Sequence, residues 1–150
     1  MDLILWRHAE AEDRAPDSQR KLTPKGHKQA EKVAGWLRSR LDEEARILAS
    51  PTTRTLQTAE ALQRRFETVA AIGPTASSEA VLKAARWPDH PGAVVIVGHQ
   101  PTLGAVASWL LCGKTAPWTI KKGALWWFTT RSRSNDGETI LRAVIGPDLI

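Results

Sequence analysis

The sequence AVVIVGH at residues 93–99 decides the fold of this chain, because its first five residues are apolar without any alternation. Such a run is typical of a parallel strand that is covered on both faces. A second apolar run, LILW at residues 3–6, leads directly into Arg7 and His8. We therefore predict two buried strands, each of which is followed closely by a histidine.

Helix-like and strand-like segments alternate on either side of these strands, which indicates an α/β fold with a parallel core. Thr23-Pro24 predicts a helix start, with threonine as the cap and proline at the first helical position. The last third of the chain instead predicts two strands joined at Asn135-Asp136-Gly137. The predicted helices begin at Pro24, at Ser50-Pro51 (continuing to Phe66), at Glu79 and at Pro101, and the further predicted strands cover residues 47–49, 69–72, 125–130 and 139–145.

The length and composition set the class of protein. The chain has 150 residues and a net charge of +5, so we expect one domain spanning residues 1–150 and an anionic ligand. Its single cysteine, Cys112, excludes an internal disulfide framework, and we expect this side chain to be buried. No apolar run approaches the ~20 residues of a membrane span, and the start does not resemble a signal peptide. We therefore expect a cytoplasmic protein without a membrane partner.

Two histidines and two arginines follow the ends of predicted strands. Arg7 and His8 follow the first strand, His99 follows the central one, and Arg54 lies just after the strand at residues 47–49. In open α/β sheets, ligands bind outside the carboxyl ends of the strands. We therefore expect these four side chains around one pocket, where nearby helix starts would add N–H donors for an anion.

This set of side chains suits phosphoryl transfer better than acyl transfer or metal chemistry. A phosphoryl group needs positioning and fixed positive charge, and an arginine can bind two of its oxygens at once. A neutral imidazole is a competent nucleophile toward phosphorus, and a second histidine, protonated beside the anion, would stabilise the transition state. His8, Glu10 and Glu12 alternate as metal ligands could, but the two arginines would repel a cation.

Three motifs resemble the histidine phosphatase superfamily and occur in that family's order. They are Arg7-His8-Ala9, Ser50-Pro51 with Arg54 and Gln57-Thr58-Ala59, and Val97-Gly98-His99-Gln100-Pro101. The start of the first helix, Leu22-Thr23-Pro24-Lys25-Gly26 with Gln29-Ala30, is also similar to the family. The short length and the loop at residues 17–23 resemble the SixA-type phosphohistidine phosphatases in particular.

The resemblance implies a three-layer α/β/α sandwich with a mostly parallel central sheet, the phosphoglycerate-mutase-like fold, and no metal or organic cofactor. It also implies a role for each candidate residue. His8 would be the nucleophile that becomes phosphohistidine. Arg7 and Arg54 would bind the phosphoryl oxygens, and His99 would contact the same group.

Two features depart from the family pattern. Ala9 stands where the family usually has a glycine, and alanine is small enough for us to expect little effect. A clear general acid is missing: Glu79 lies in roughly the right region, whereas Glu10, Glu12 and Asp13 could approach the pocket instead. An alkoxide leaving group needs a proton donor, worth about 10²–10⁴ in rate, but the imidazole that leaves from phosphohistidine is easily protonated. The missing acid therefore favours a phosphoramidate or another activated phosphate.

The remaining basic residues have simpler interpretations. We expect His27, on the first helix, and His90, in a loop bounded by prolines, to be solvated. Lys121-Lys122 and Arg131 with Arg133 form a basic cluster near the final hairpin in the sequence. Nucleic-acid binding would need interleaved aromatics and a recognised module, so we expect a solvated face and no nucleic-acid partner.

The predicted function is that of a phosphatase that acts through a phosphohistidine intermediate at His8. Its preferred substrate would be phosphohistidine on a protein, such as a phosphotransfer domain. One alternative is a phosphatase for a small molecule, such as a sugar phosphate, a nucleotide or polyphosphate. Another is a module that binds phosphate without turnover, although such a module has no need of a nucleophile. We expect the protein to act as a monomer, because the sequence has no obvious interface stripe.

Overall fold

A computed structural model describes residues 1–131 and 137–150. Arg133 and the predicted turn at Asn135-Asp136 lie outside the described residues. The strands are β1 (Asp2–Arg7), β2 (Arg46–Ala49), β3 (Glu67–Thr68), β4 (Ala93–Gly98), β5 (Leu125–Arg131) and β6 (Glu138–Ile145). The helices are α1 (Pro24–Arg38), α2 (Thr53–Glu60), α3 (Ser78–Ala85) and α4 (Thr102–Cys112). Of these helices, none is long and apolar enough to cross a membrane.

The strands form one mixed sheet in the order β3-β2-β4-β1-β5-β6. The first four strands in this order are parallel, and β5 and β6 add an antiparallel edge. The predicted central strand, β4, lies between β1 and β2 and is buried at every residue. The prediction of a parallel core that ends in two antiparallel strands is therefore confirmed.

The pairing of β1 with β4 aligns the ends of the two strands. Arg7 is opposite Gly98 in this register. His8 then donates its backbone N–H to the carbonyl oxygen of Gly98 at 3.1 Å. On the other side of β4, Ser50 donates its backbone N–H to Val97 at 3.1 Å as it leaves β2. The loops that follow β1, β2 and β4 therefore begin at the same edge of the sheet.

Helices cover both faces of the sheet. Successive side chains of the central strands point to opposite faces, and apolar side chains lie on both. Leu5 and Ile96 pack in one core with residues of α3 and α4. Trp6 and Val97 pack on the opposite face with residues of α1 and α2. Each large side chain buried in this way contributes about 1.5–3 kcal/mol. The three-layer α/β/α architecture implied by the family resemblance is confirmed.

The starts of α1 and α2 are set by threonine caps. Thr23 accepts a hydrogen bond from the backbone N–H of Gly26 at 2.9 Å, and α1 begins at Pro24 as predicted. Helix α2 is capped by Thr52 and ends at Glu60, so the prediction of a helix from Ser50-Pro51 to Phe66 is wrong at both ends. Gln63 has a φ of 55°, a left-handed conformation in which an α-helix does not continue.

The predicted third strand is misplaced. Only Glu67–Thr68 pairs with β2, whereas Ala70–Ile72 forms a 3₁₀ turn. This turn buries Ile72 in the core that faces α3 and α4. An apolar run of four residues does not distinguish an edge strand from a turn that packs one side chain inward. The physical reason for the error is that the turn buries Ile72 alone and leaves Ala70 and Ala71 exposed, so the run is not a strand covered by its neighbours.

Two side chains have the opposite exposure to that predicted. Cys112 is exposed, because α4 buries the face that carries Leu103 and Val106 and Cys112 lies off that face. His90 is only 8% exposed. The chain folds back after Arg86, and the backbone N–H of His90 donates to the carbonyl oxygen of Arg86 at 3.0 Å. His27 is exposed as predicted.

Alanine substitutions at two glycines of α1 should have opposite effects on stability. A Cβ at Gly26 would lie 2.0 Å from the backbone oxygen of Glu10, whereas at Gly35 it would meet no heavy atom within 4 Å. Gly26→Ala should therefore lower the free energy of unfolding by at least about 2 kcal/mol. Gly35→Ala should raise it by about 0.5–1 kcal/mol, because alanine is the better helix former.

Urea unfolding of both variants measures this difference, and Gly35→Ala is the matched control for Gly26→Ala. Equal effects of the two substitutions would contradict the close approach of α1 to the chain that follows β1.

Candidate active site

The four candidate residues predicted from the sequence lie together at the carboxyl edge of the parallel strands. The rings of His8 and His99 are 5.5 Å apart, centroid to centroid. The guanidinium of Arg54, in the first turn of α2, lies 3.4 Å from Nδ1 of His99. Arg7, at the end of β1, is close enough for its charge to lower the pKa of His8. The loops after β1, β2 and β4 thus bring these side chains together.

His8 is held as a neutral imidazole with a defined tautomer. Its Nδ1 lies 2.8 Å from the backbone oxygen of Ala9, and because a carbonyl only accepts, Nδ1 carries the proton. Nε2 therefore keeps its lone pair. Burial lowers the pKa of His8 from 6.5 to about 3, a change that the hydrogen bond to Ala9 opposes and the charges of His99, Arg54 and Arg7 reinforce. A neutral ring with a free Nε2 is the form that attacks phosphorus.

His99 has the opposite tautomer. The guanidinium of Arg54 can only donate to Nδ1, so the proton is on Nε2, which donates to Oγ of Ser50 at 2.7 Å. Burial lowers the pKa of His99 to about 4, and the charge of Arg54 contributes to the shift. At neutral pH the ring therefore lacks the positive charge that the sequence analysis expected beside an anion. A bound phosphoryl dianion would raise this pKa, because it would favour the charged form.

Both arginines are anchored and retain donors for a ligand. Arg7 donates from Nη1 to the backbone oxygen of Ile120 at 2.9 Å. Arg54 donates to the backbone oxygen of Asp17 at 2.8 Å and to its carboxylate at 3.2 Å. The Nε groups of both arginines are buried and have no hydrogen-bond partner among the residues that the structure describes. Buried donors without a partner are costly, and a phosphoryl oxygen could satisfy both.

Asp17 is a carboxylate at this site that the sequence analysis did not single out. It lies in a 3₁₀ turn that packs against α2, and its carboxylate pairs with Arg54 and with Arg20. Partial burial would raise the pKa of Asp17, but the two arginines outweigh it and hold the pKa below its ordinary value. In the sequence, the resemblance of the loop at residues 17–23 to the SixA-type proteins indicated that this loop could contribute to the site.

The carboxylates that the sequence analysis considered as general acids have other positions. These residues are Glu10, Glu12, Asp13 and Glu79. Glu10 accepts a hydrogen bond from Thr23 at 2.7 Å, and Glu12 accepts one from Arg14 at 3.1 Å. Asp13 and Glu79 are exposed. Within residues 1–131 and 137–150, none of the four forms a hydrogen bond with a candidate catalytic side chain, and no three histidine, cysteine or carboxylate side chains could hold a metal.

The basic cluster expected near the final hairpin does not form as one group. Lys121-Lys122 precede β5 and lie beside Arg7, where they line a cavity. Arg131 lies at the other end of β5, because Leu125 pairs with Trp6 and the strand then runs antiparallel to β1. Strand β5 has seven residues, each of which adds about 3.4 Å to its length. Lys121-Lys122 and Arg131 are close in sequence but therefore lie at opposite edges of the sheet.

The neutral state of the two site histidines is directly testable. Because burial and neighbouring arginines lower the pKa values to about 3 for His8 and about 4 for His99, both rings should stay neutral as the pH falls through 6.5, the ordinary value. NMR titration of ¹³C-labelled histidine rings measures this, with His8→Ala and His99→Ala assigning the signals. Titration of either ring near 6.5 in the free protein would contradict the described environment.

Comparisons with known proteins identify the family and the fold. Residues 3–75 match the histidine phosphatase superfamily (branch 1). An uncharacterised protein of Picosynechococcus sp. is 37% identical over 127 residues, which cover 77% of this chain and 76% of that protein. Phosphohistidine phosphatase SixA of Escherichia coli is 29% identical over 126 residues, 78% of each chain. A solved structure of the protein histidine phosphatase SixA complexed with tungstate covers 99% of both chains, with a TM-score of 0.83 and 25% identity.

The matched segment contains the motifs around Arg7-His8 and Arg54, and the likeness in fold extends over the whole of this chain. The chain belongs to the histidine phosphatase superfamily.

Proposed function

We propose that this protein is a phosphatase that removes the phosphoryl group from phosphohistidine on another protein, through a covalent intermediate on His8. The observation that carries the proposal is the state of His8: the ring is neutral, Nδ1 is protonated and held by Ala9, and Nε2 keeps its lone pair. The buried Arg54 and the half-buried Arg7 lie beside it, each with a buried Nε donor that has no partner among the described residues. This arrangement places a nucleophile next to hydrogen-bond donors for phosphoryl oxygens.

The first chemical step transfers the phosphoryl group to His8. The lone pair on Nε2 attacks phosphorus while the P–N bond to the substrate imidazole breaks. That imidazole takes a proton from solvent on its other nitrogen and leaves as a neutral ring. The proton on Nδ1 of His8 stays in place, and the carbonyl of Ala9 stabilises the positive charge that the phosphorylated ring acquires. Arg7 and Arg54 bind the phosphoryl oxygens throughout.

The second step restores the free protein. Water attacks phosphorus, the P–N bond to Nε2 breaks, and orthophosphate forms. The ring of His8 returns to the same neutral tautomer because Nδ1 has kept its proton. His99, whose ring is 5.5 Å from that of His8, can donate to a phosphoryl oxygen in either step once the bound anion raises its pKa.

The state of Asp17 supports a P–N bond rather than a phosphate ester as the bond that is cleaved. An alkoxide leaving group needs a proton donor, worth about 10²–10⁴ in rate. Asp17 is the carboxylate beside Arg54, and this pairing lowers its pKa and so disfavours the protonated form that a general acid needs. A leaving imidazole needs no such donor. The name of the Escherichia coli relative, phosphohistidine phosphatase SixA, is consistent with this substrate class.

A covalent phosphoryl group on His8 is the central prediction. Brief exposure of the protein to phosphoramidate should give an acid-labile adduct of one phosphoryl group, detected by intact-protein mass spectrometry. His8→Ala should form no adduct and should lose turnover by at least about 10³-fold, because no other nucleophile takes its place. His27→Ala, which changes an exposed histidine of α1, is the matched control and should behave as the native chain. Adduct formation by His8→Ala would contradict the assignment.

Substitution of Asp17 tests whether its carboxylate takes part in turnover. Asp17→Asn keeps an oxygen that can accept from Arg54 but removes a negative charge near the phosphoryl site. We expect orthophosphate to bind up to about fivefold more tightly, because an exposed charge contributes about 0.2–1 kcal/mol. Phosphoramidate turnover should change by less than about tenfold. A loss of about 10²-fold or more would show that the Asp17 carboxylate is needed for turnover and would contradict this interpretation.

A further inference from the structure

A cavity of about 620 Å³ adjoins the candidate active site, and lysines dominate its walls. One wall is a face of α1 and the other is the segment before β5, with residues 147–148 at the margin. The cationic residues that line it are Arg7, Lys25, Lys28, Lys32, Lys121 and Lys122. The volume lies within the range of about 300–1,000 Å³ that is usual for small-molecule sites.

The lysine-rich walls are fixed relative to His8 by hydrogen bonds. Gly123 donates its backbone N–H to the carbonyl oxygen of His8 at 3.0 Å, and its own oxygen accepts from the indole of Trp6 at 2.9 Å. Arg7 donates to the backbone of Ile120 at 2.9 Å. Gly123 has a φ of +75°, and a Cβ added there would lie 3.3 Å from Cβ of Gln29 in α1. Lys121-Lys122 are therefore held between the active site and α1.

The charge of the cavity is largely uncompensated. Its six cationic side chains face two carboxylates, Glu10 and Asp148. Glu10 is already bonded to the hydroxyl of Thr23. Over residues 1–131 and 137–150, the ion pairs do not include any of the five lysines. This concentration of positive charge next to a phosphoryl site calls for a ligand with several negative charges in a small volume.

We propose that the cavity is a second anion subsite, which binds the further phosphates of a compact ligand with a chain of linked phosphates. The terminal phosphoryl group of that ligand lies at His8, and the rest of the chain extends past Arg7 into the lysines. Arg7 lines the cavity and belongs to the active site, so it connects the two. Such a ligand competes with phosphohistidine for the position at His8, and the proposal rests on the proposed function only for the position of its terminal phosphoryl group.

The lining of the cavity favours a phosphate chain over an acidic protein segment or a nucleic acid. A phosphate chain concentrates its charges within a few ångströms, whereas each acidic side chain brings one charge on a larger body. Lysine binds phosphate as a compact point charge that can adjust its position. Among the residues that the structure describes, the lining includes no aromatic side chain on which a nucleic-acid base would stack.

Binding of inorganic tripolyphosphate tests the proposal without any need for turnover. Calorimetry on His8→Ala, in which the ligand cannot phosphorylate the protein, compares the dissociation constants of tripolyphosphate and orthophosphate. Tripolyphosphate should bind at least about tenfold more tightly, because its additional charges meet several lysines. In the same background, Lys28→Gln with Lys32→Gln should remove most of this difference. Glutamine preserves the helix, since its propensity is close to that of lysine.

A matched control separates the subsite from the effect of net charge. Lys83→Gln with Lys114→Gln removes two exposed lysines that do not line the cavity, and it should leave the ratio of the two dissociation constants unchanged within about twofold. ATP is measured beside tripolyphosphate. Tighter binding of ATP identifies a nucleoside polyphosphate as the ligand class, and tighter binding of tripolyphosphate identifies an inorganic chain.

Three results would overturn the proposal. Tripolyphosphate could bind no more tightly than orthophosphate, or the Lys28→Gln/Lys32→Gln variant could keep the full difference. A hexaglutamate peptide could also bind as tightly as tripolyphosphate with the same dependence on the lysines, which would make the cavity a docking site for acidic protein. Each failure is distinct from failure of the proposed function, because that is measured by phosphoramidate turnover in the native chain.

Discussion

The parallel pairing of β1 with β4 is the constraint on which the rest of the structure depends. It places Arg7 opposite Gly98, so that His8 and His99 leave the sheet side by side and their rings come within 5.5 Å. Pairing of β4 with β2 brings Ser50 and the start of α2 to the same edge. A slip of one residue along either pair would turn alternate side chains to the wrong face and separate the histidines.

Electrostatics at this edge favour a neutral nucleophile in a positively charged setting. Burial and nearby arginines disfavour protonation of His8, while the carbonyl of Ala9 selects the tautomer that leaves Nε2 free. The same arginines are held by protein oxygens, Arg7 by Ile120 and Arg54 by Asp17, and do not need a ligand to stay ordered. The site is thus organised before an anion enters, which reduces the rearrangement that binding requires.

Sequence reasoning succeeded where local chemistry dictates structure. The uninterrupted apolar run of β4, the Thr23-Pro24 helix start and the strand-end histidines all correspond to the observed elements. It failed where a distant contact decides the outcome. The run at residues 69–72 forms a turn that buries Ile72 in the core, whereas Ala70 and Ala71 are exposed. Helix α2 ends at Glu60, and the chain then turns through the left-handed Gln63, which no neighbouring residue type signals.

The sequence by itself determined the α/β architecture, the family and the four side chains at the strand ends, because these follow from periodicity and short motifs. Only the tertiary structure decided what surrounds them. It paired Asp17 with Arg54 and gave Glu10 and Glu12 other partners. It also placed Lys121-Lys122 beside the α1 lysines and away from Arg131. These arrangements depend on how loops and helices pack across the sheet, and contacts between residues so far apart along the chain leave no local pattern in the sequence.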